Sequence, residues 1–143
     1  MKTYQQFAKR LVDLLGDSQA VRITVPGFMP LSIEEILPTD DGHRQISLVH
    51  YGTQNGDLMR DPEIVFELRA AGDEIFAEPV YFRNDYAGVE NFVYTTREER
   101  PGVTVRLVNP RLKNDLKSFA GMWIRNLRAQ GFFGRDASRE VLS

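Results

Sequence analysis

The two ends of the chain carry apolar residues at the spacing of an amphipathic α-helix. Near the start, such residues recur every three or four positions and stop before Gly16, at Tyr4, Phe7, Ala8, Leu11, Leu14 and Leu15. Near the end, Asn109 and Pro110 are suitable types for a helix N-cap and a first helical position, and an apolar stripe follows at Leu112, Leu116, Phe119, Trp123 and Leu127. The pattern predicts one helix at each end, the second ending near Gly131.

Between these helices, short segments alternate apolar and polar residues, which is the period of half-buried β-strands. The strand-like segments are residues 20–25, 31–37, 44–51, 64–69, 74–82, 90–96 and 102–108. Turn residues such as Asp41-Gly42 separate several of them and predict hairpins. The order of helix, strands and helix predicts an α+β fold, with a mostly antiparallel sheet of about five or six strands and the N-terminal and C-terminal amphipathic helices packed on one face.

Length and composition limit the chain to one folded unit. With 143 residues, 42% of them apolar, it is long enough for a single core. We expect one domain over residues 1–133, followed by a short polar segment, 134–143, that frays. The sequence has no cysteine and no apolar run of about 20 residues that could span a bilayer. We therefore expect a cytoplasmic protein without membrane contact.

Charge is distributed unevenly, although the net charge is only -2. Residues 31–90 contain four basic and thirteen acidic side chains, whereas residues 97–143 contain ten basic and five acidic ones. Such asymmetry bears on solubility and association rather than on the fold. The net negative charge disfavours, without excluding, a nucleic acid as partner.

The most distinctive polar segment is QNGDLMRDPE, residues 54–63. Asn55-Gly56 suits a tight turn, and Asp61 before Pro62 favours extended backbone. Asp57, Asp61 and Glu63 could bind a hard cation together with His50, but their spacing matches no known metal motif. We predict an ordered connector in which Asp57 and Asp61 accept hydrogen bonds from nearby backbone, with a metal-assisted enzyme as one alternative.

A second candidate surface combines aromatic and polar residues in segment 80–94, namely Tyr81, Arg83, Asn84, Asp85 and Tyr86. Aromatic rings beside Arg and Asn are typical of platforms for single-stranded nucleic acid, and also of the core and rim of a sheet. On the closing helix, helical geometry places four basic residues on one side, Lys113, Lys117, Arg125 and Arg128. A nucleic-acid-binding module that uses Arg83 and this basic side is therefore another alternative.

Catalytic motifs do not add to this picture. The sequence contains neither a Gly-x-Ser-x-Gly elbow nor a Gly-x-x-x-x-Gly-Lys phosphate loop, and His43 and His50 are its two histidines. We expect a protein that binds rather than catalyses, with no cofactor.

Residues 54–57, 61–63, 81–85 and 130–132 resemble pieces of a small uncharacterised bacterial family associated with plasmids and integrative elements. The resemblance covers most of residues 45–133 and implies an accessory protein of a mobile element, with no assigned catalytic residues. Together with the polar segments, it leads us to predict contact with a protein partner. The candidate contact surface comprises Asn55, Asp57, Asp61, Glu63, Tyr81, Arg83, Asn84, Asp85 and Tyr86.

Overall fold

The computed structural model describes residues 2–143 and contains both predicted helices. Helix α1 spans Lys2–Leu15, and helix α2 spans Pro110–Ala129. Gly16 follows α1 with a φ of 63°, and its N–H donates to the Val12 carbonyl at 2.8 Å. Since the left-handed conformation costs glycine least, this residue suits the helix end. Asn109 caps α2, because its side-chain oxygen accepts the Leu112 N–H at 3.0 Å.

Nine strands lie within the described residues. They are β1 (Ala20–Thr24), β2 (Leu31–Ile36), β3 (Gln45–Gln54), β4 (Asp57–Ala71), β5 (Glu74–Asn84), β6 (Val89–Phe92), β7 (Tyr94–Arg100), β8 (Val103–Val108) and β9 (Ser138–Val141). Seven form one sheet in the order β6-β5-β4-β3-β2-β1-β9, and β7 pairs with β8 separately. Every strand pair within residues 2–143 is antiparallel. The predicted α+β class and antiparallel sheet are confirmed, and the main sheet is larger than predicted.

One predicted strand, residues 90–96, divides between the two sheets. Val93 separates β6 from β7 and is buried. Its N–H donates to the Val80 carbonyl at 2.9 Å, and its carbonyl accepts the Asn109 N–H at 2.8 Å. These two bonds hold the chain where it leaves the main sheet.

A single core cluster joins both helices to the main sheet. Alternate residues of neighbouring strands contribute to it, including Val21, Ile23, Leu31, Ile33, Ile46, Leu48, Ile64 and Phe66. Leu11 from α1 and Leu127 from α2 are fully buried in the same cluster. Residues that alternate with these on the strands point away from the cluster, and among them lie candidate functional side chains such as Glu63, Tyr81 and Arg83.

The C-terminal segment, for which we expected fraying, contains a strand. Ser138–Val141 forms β9, which pairs with β1 over residues 21–24. Arg139 also donates from Nη1 to the Leu14 carbonyl at 2.8 Å, at the end of α1. Short polar segments often fray because they bury little surface, but here backbone pairing, the Arg139 bond and the Arg22–Glu140 ion pair hold the segment in place.

Candidate functional site

The predicted polar connector, residues 54–63, is a hairpin turn followed by a strand. Asn55 and Gly56 have φ values of 53° and 87°, which suit the two central residues of a type I′ turn, so Gln54 pairs directly with Asp57. The Asn55-Gly56 turn prediction was right, but the connector contains only these two residues. The remaining residues belong to β4, which starts at Asp57.

The two aspartates of this segment do not make the hydrogen bonds to nearby backbone that were predicted for them. Asp57 is exposed, and its side chain has no hydrogen-bond partner within residues 2–143. Asp61 accepts a hydrogen bond at 2.8 Å from the side-chain amide of Asn84, rather than from backbone. The Arg60 backbone N–H beside it is bonded by the Asp85 carboxylate instead, so Asp61 contacts the neighbouring strand β5 through Asn84.

A connected group of polar side chains lies across β3, β4 and the end of β5, on the positions that point away from the core. We call this group the polar cluster: Ser47, Arg60, Glu63, Arg83 and Asp85. Ser47 Oγ donates to Glu63 Oε2 at 2.6 Å, and Arg60 Nε lies 3.3 Å from Glu63 Oε1. Asp85 accepts the Arg60 backbone N–H at 2.8 Å and Arg83 Nε at 2.7 Å.

Electrostatics favour the charged forms within the polar cluster. The Arg60 backbone N–H, followed by the Arg83 guanidinium, lowers the pKa of the Asp85 carboxyl. The hydrogen bond to Asp85 raises the pKa of Arg83 in turn. Since hydrogen bonds to a charged group stabilise that form, Asp85 fixes both arginines while remaining ionised.

Two tyrosines predicted for the contact surface flank this cluster. The Tyr81 hydroxyl donates to the Glu90 carboxylate, and its ring packs on Phe92 with centroids 5.0 Å apart. Burial is the main cause of the raised pKa of Tyr81. The Tyr86 hydroxyl donates to the Thr53 carbonyl at 3.1 Å, across the β3–β4 hairpin.

Gly52 allows Tyr86 to take this position. A Cβ atom at Gly52 would lie 2.5 Å from the Tyr86 hydroxyl oxygen, well inside van der Waals contact. The Met29 sulfur would lie 3.3 Å from the same Cβ atom. A glycine in a strand therefore marks the point where two side chains approach the backbone closely.

These residues line a concave surface that we call the strand-face groove. It has a volume of about 1010 Å³, and its lining includes Met29, Ser47, Tyr51, Leu58, Arg60, Glu63 and Tyr86. A smaller cavity of about 470 Å³ continues from it at Ile36, Arg60 and Glu63 toward Tyr81 and Arg83. Met29, Leu58 and Tyr86 keep 37%, 67% and 46% of their surfaces exposed, so the groove offers apolar surface beside fixed charges.

The candidate metal ligands do not converge. His50 lies in the core, 5.6 Å from the Trp123 ring and 5.4 Å from the Phe132 ring, and burial lowers its pKa. Glu63 instead accepts a hydrogen bond from Ser47 on the side of the sheet that faces away from the core. Within residues 2–143, no three His, Asp or Glu side chains are grouped so as to hold a metal ion.

The basic residues of the nucleic-acid alternative have different surroundings. Arg83 is held by Asp85, and Lys113 Nζ lies 3.6 Å from Glu78 Oε2. Lys117 Nζ lies over the Tyr4 ring, 5.2 Å from its centroid. Arg125 and Arg128 are exposed on α2. Two of the five basic side chains are thus engaged with acidic partners.

Sequence reasoning missed Ser47 and Arg60 as members of the site. Ser47 is an ordinary polar position of an alternating strand, and Arg60 was passed over within a segment noted for its carboxylates. Their proximity depends on the pairing of β3 with β4, where the register shifts between Val49 and Tyr51. No local spacing indicated Arg60, because residues three apart lie on opposite faces of a regular strand, and the register shift is what brings Arg60 and Glu63 to the same side.

The fold and the groove define a small α+β protein with a preformed polar and apolar surface on its sheet. The chain belongs to the family described as "Domain of unknown function (DUF6908)", whose model matches residues 2–133. No curated protein and no solved structure matches the chain. Neither described helix combines the length and the apolar character needed to cross a membrane. The prediction of an uncharacterised family is confirmed, while its association with bacteria and plasmids stays a prediction.

Proposed function

We propose that this protein is a binding module that recognises another protein through the strand-face groove. The observation that carries the proposal is the joint placement of exposed apolar side chains and fixed charges around one groove, at Met29, Leu58, Tyr86, Arg60 and Glu63. Protein-recognition surfaces combine an apolar centre with polar groups that orient the partner.

The residue types of the groove favour a protein as the partner. The residues within 2–143 that line it include Met29, Tyr51, Tyr86, Arg22 and Arg60, but they include no lysine. The cores of protein interfaces are enriched in aromatic residues, Met and Arg, and they are depleted in Lys. A surface for a polyanion would instead need a basic excess, whereas Glu34 and Glu63 offset the two arginines here.

The hydrogen bonds of the polar cluster support the same proposal. Asp85 and Glu63 hold Arg60 from two sides, while the Arg60 side chain remains 36% exposed. Side chains that are already ordered lose little conformational entropy when a partner binds. Arg60 is thus placed to donate to a carbonyl or carboxylate of a protein segment lying in the groove.

The positions of the two helices determine which side of the main sheet is free to form the groove. We infer that both helices cover the core side of the main sheet, because both share a cluster with the same alternating strand residues. The part of the other side that forms the strand-face groove would then remain open for recognition, while β8 covers Glu67 nearby. The resemblance adds a setting to this proposal, namely a bacterial cytoplasm and an accessory role for a mobile element.

A matched pair of exposed substitutions tests the proposal. Leu58→Glu places a charge in the groove, and Val12→Glu places the same charge on α1 outside it; these side chains are 67% and 56% exposed. Photo-crosslinking from position 58 in a lysate of the source organism would identify the partner. Binding of the purified partner to each variant would then be measured by calorimetry.

We expect Leu58→Glu to weaken binding by about tenfold or more, because it places an unpaired charge in the apolar part of the interface. Val12→Glu should bind like the unmodified protein, and the melting temperatures of both variants should be unchanged. Equal weakening by both substitutions, or crosslinking to nucleic acid in place of protein, would contradict the proposal.

A further inference from the structure

We propose that a second, shallow groove, formed by α2 and the start of α1, binds the phosphate group of a small phosphate monoester. The groove has a volume of about 350 Å³ and is lined by Thr3, Asn114, Lys117, Ser118, Gly121 and Arg125. It is separate from the strand-face groove and does not depend on the function proposed there.

The α2 residues of this groove share one face of the helix. Asn114, Lys117 and Ser118 precede Gly121 by seven, four and three residues, and Arg125 follows it by four. This is the spacing of side chains on one helical face. This face carries two cations and two neutral side chains that donate hydrogen bonds, Asn114 and Ser118. Thr3 adds a third neutral donor from α1.

Gly121 leaves room for the Arg125 side chain at the side of α2. A Cβ atom built on it would meet only the Arg125 side chain, with Nη1 at 3.4 Å, so Arg125 lies back along the helix over Gly121. Lys117 stands one turn before Gly121, and its Nζ lies over the Tyr4 ring. Both cations line the same groove, Arg125 beside Gly121 and Lys117 one turn before it.

In the described part of the chain, no carboxylate neutralises the two cations of this groove. Its lining contains no carboxylate, and no Asp or Glu within residues 2–143 forms an ion pair with Lys117 or Arg125. Lys113, one turn before Lys117, is paired with Glu78. An anion that enters the groove would be attracted by both cations.

The number and type of these groups fit a phosphate monoester. Its charge near -2 matches the two cations, and its three terminal oxygens can accept bonds from the guanidinium, the ammonium and neutral donors. Arginine suits the planar, bidentate contact with phosphate. A long polyanion is a poorer fit, because the chain as a whole carries a net charge of -2.

Calorimetric titration of the full chain with inorganic phosphate and with glycerol phosphate tests the proposal. The double variant Lys117→Gln/Arg125→Gln removes both cations. Arg128→Gln is the matched control, since Arg128 is exposed on the same helix but does not line the groove. Gly121→Leu fills the groove with a side chain that favours helix, so it should weaken binding without unfolding the protein.

We expect the double variant to lose about tenfold to a hundredfold in affinity for both phosphates, as for charge-assisted hydrogen bonds of 1.5–3 kcal/mol. Gly121→Leu should lose binding while keeping its melting temperature, and Arg128→Gln should bind normally. Lack of binding to the unmodified protein at millimolar phosphate, or equal losses in Arg128→Gln, would overturn the proposal. So would tighter binding of an oligonucleotide that depends on Arg128 as much as on Lys117, since that behaviour indicates a nucleic-acid surface.

Discussion

Asp85 links two strands through a single carboxylate. One oxygen accepts the Arg60 backbone N–H of β4, and the other accepts Arg83 Nε of β5. The Arg83 side chain is 38% exposed, so its ion pair contributes little to stability in water. The bond to the partly buried backbone N–H of Arg60 should contribute more, because an unsatisfied backbone donor is costly.

We predict that Asp85→Asn lowers the free energy of unfolding by about 1 kcal/mol at pH 7, since it weakens two hydrogen bonds to a charged acceptor. The folded pKa of Asp85 is lowered, chiefly by the Arg60 N–H, below an unfolded value of about 3.9. The stabilisation is therefore complete above the unfolded pKa and is lost as pH falls through the folded pKa. Urea denaturation of both proteins across this range measures the difference.

Asp57→Asn is the control for that experiment. Asp57 is exposed at the start of β4 and has no side-chain hydrogen bond to the described residues, so its replacement should change stability by less than about 0.5 kcal/mol. If Asp57→Asn cost more than Asp85→Asn, the role assigned to Asp85 would be wrong.

At the scale of elements, the sequence predicted those whose apolar spacing is regular and whose ends carry recognisable residues. Both helices and the Asn55-Gly56 turn belong to this group. The start of β4 was missed, because Asp57 and Asp61-Pro62 are also typical of loops and nothing local reveals pairing with Gln54 and Tyr51. The polar cluster was predicted only in part for the same reason: Ser47 and Arg60 join it through pairing between strands.

The second helix should depend on its buried aromatic side chain. Trp123 is 6% exposed, and its ring lies 5.6 Å from His50 of β3 and 6.4 Å from Phe119. We predict that Trp123→Ala lowers the free energy of unfolding by about 3–5 kcal/mol, because truncating a large core aromatic leaves a cavity. Denaturant titration followed by circular dichroism would measure this loss.

Met122→Ala is a suitable comparison, because Met122 is the neighbouring residue on α2 and is 44% exposed. Its loss should stay below about 1 kcal/mol. Similar effects of the two substitutions would mean that α2 does not use Trp123 to anchor itself on the sheet.

At the scale of the whole molecule, the uneven charge of the sequence is partly neutralised by folding. Glu67 and Glu78 belong to the acidic middle of the chain and are both buried. Their basic neighbours include residues of the C-terminal part: Arg106 Nη2 lies 3.8 Å from Glu67 Oε2, and Lys113 Nζ lies 3.6 Å from Glu78 Oε2. The linear asymmetry thus overstates the charge difference between surfaces, since segments far apart in sequence are paired.

The C-terminal segment joins distant parts of the molecule in a similar way. The last turn of α1 contains no basic residue to interact with its free carbonyl groups. Arg139 supplies the missing cation from β9, with its 2.8 Å bond to the Leu14 carbonyl. A cation at a helix C-terminus satisfies a carbonyl and interacts favourably with the helix dipole. The strand β9 is itself exposed at all four positions, so it adds backbone pairing but little apolar burial.

We predict that removing residues 135–143 lowers the free energy of unfolding by about 1–3 kcal/mol without unfolding the protein, because several hydrogen bonds are lost while the core cluster stays. Arg139→Gln in the full chain should account for about 1 kcal/mol of this loss. Arg135→Gln, a change on an exposed residue with no side-chain hydrogen bond to the described residues, should be neutral. Thermal and urea denaturation of the three variants would measure these differences. A truncated chain as stable as the full one would restore the expectation of a frayed segment, whereas an unfolded truncated chain would mean that β9 is essential to the sheet.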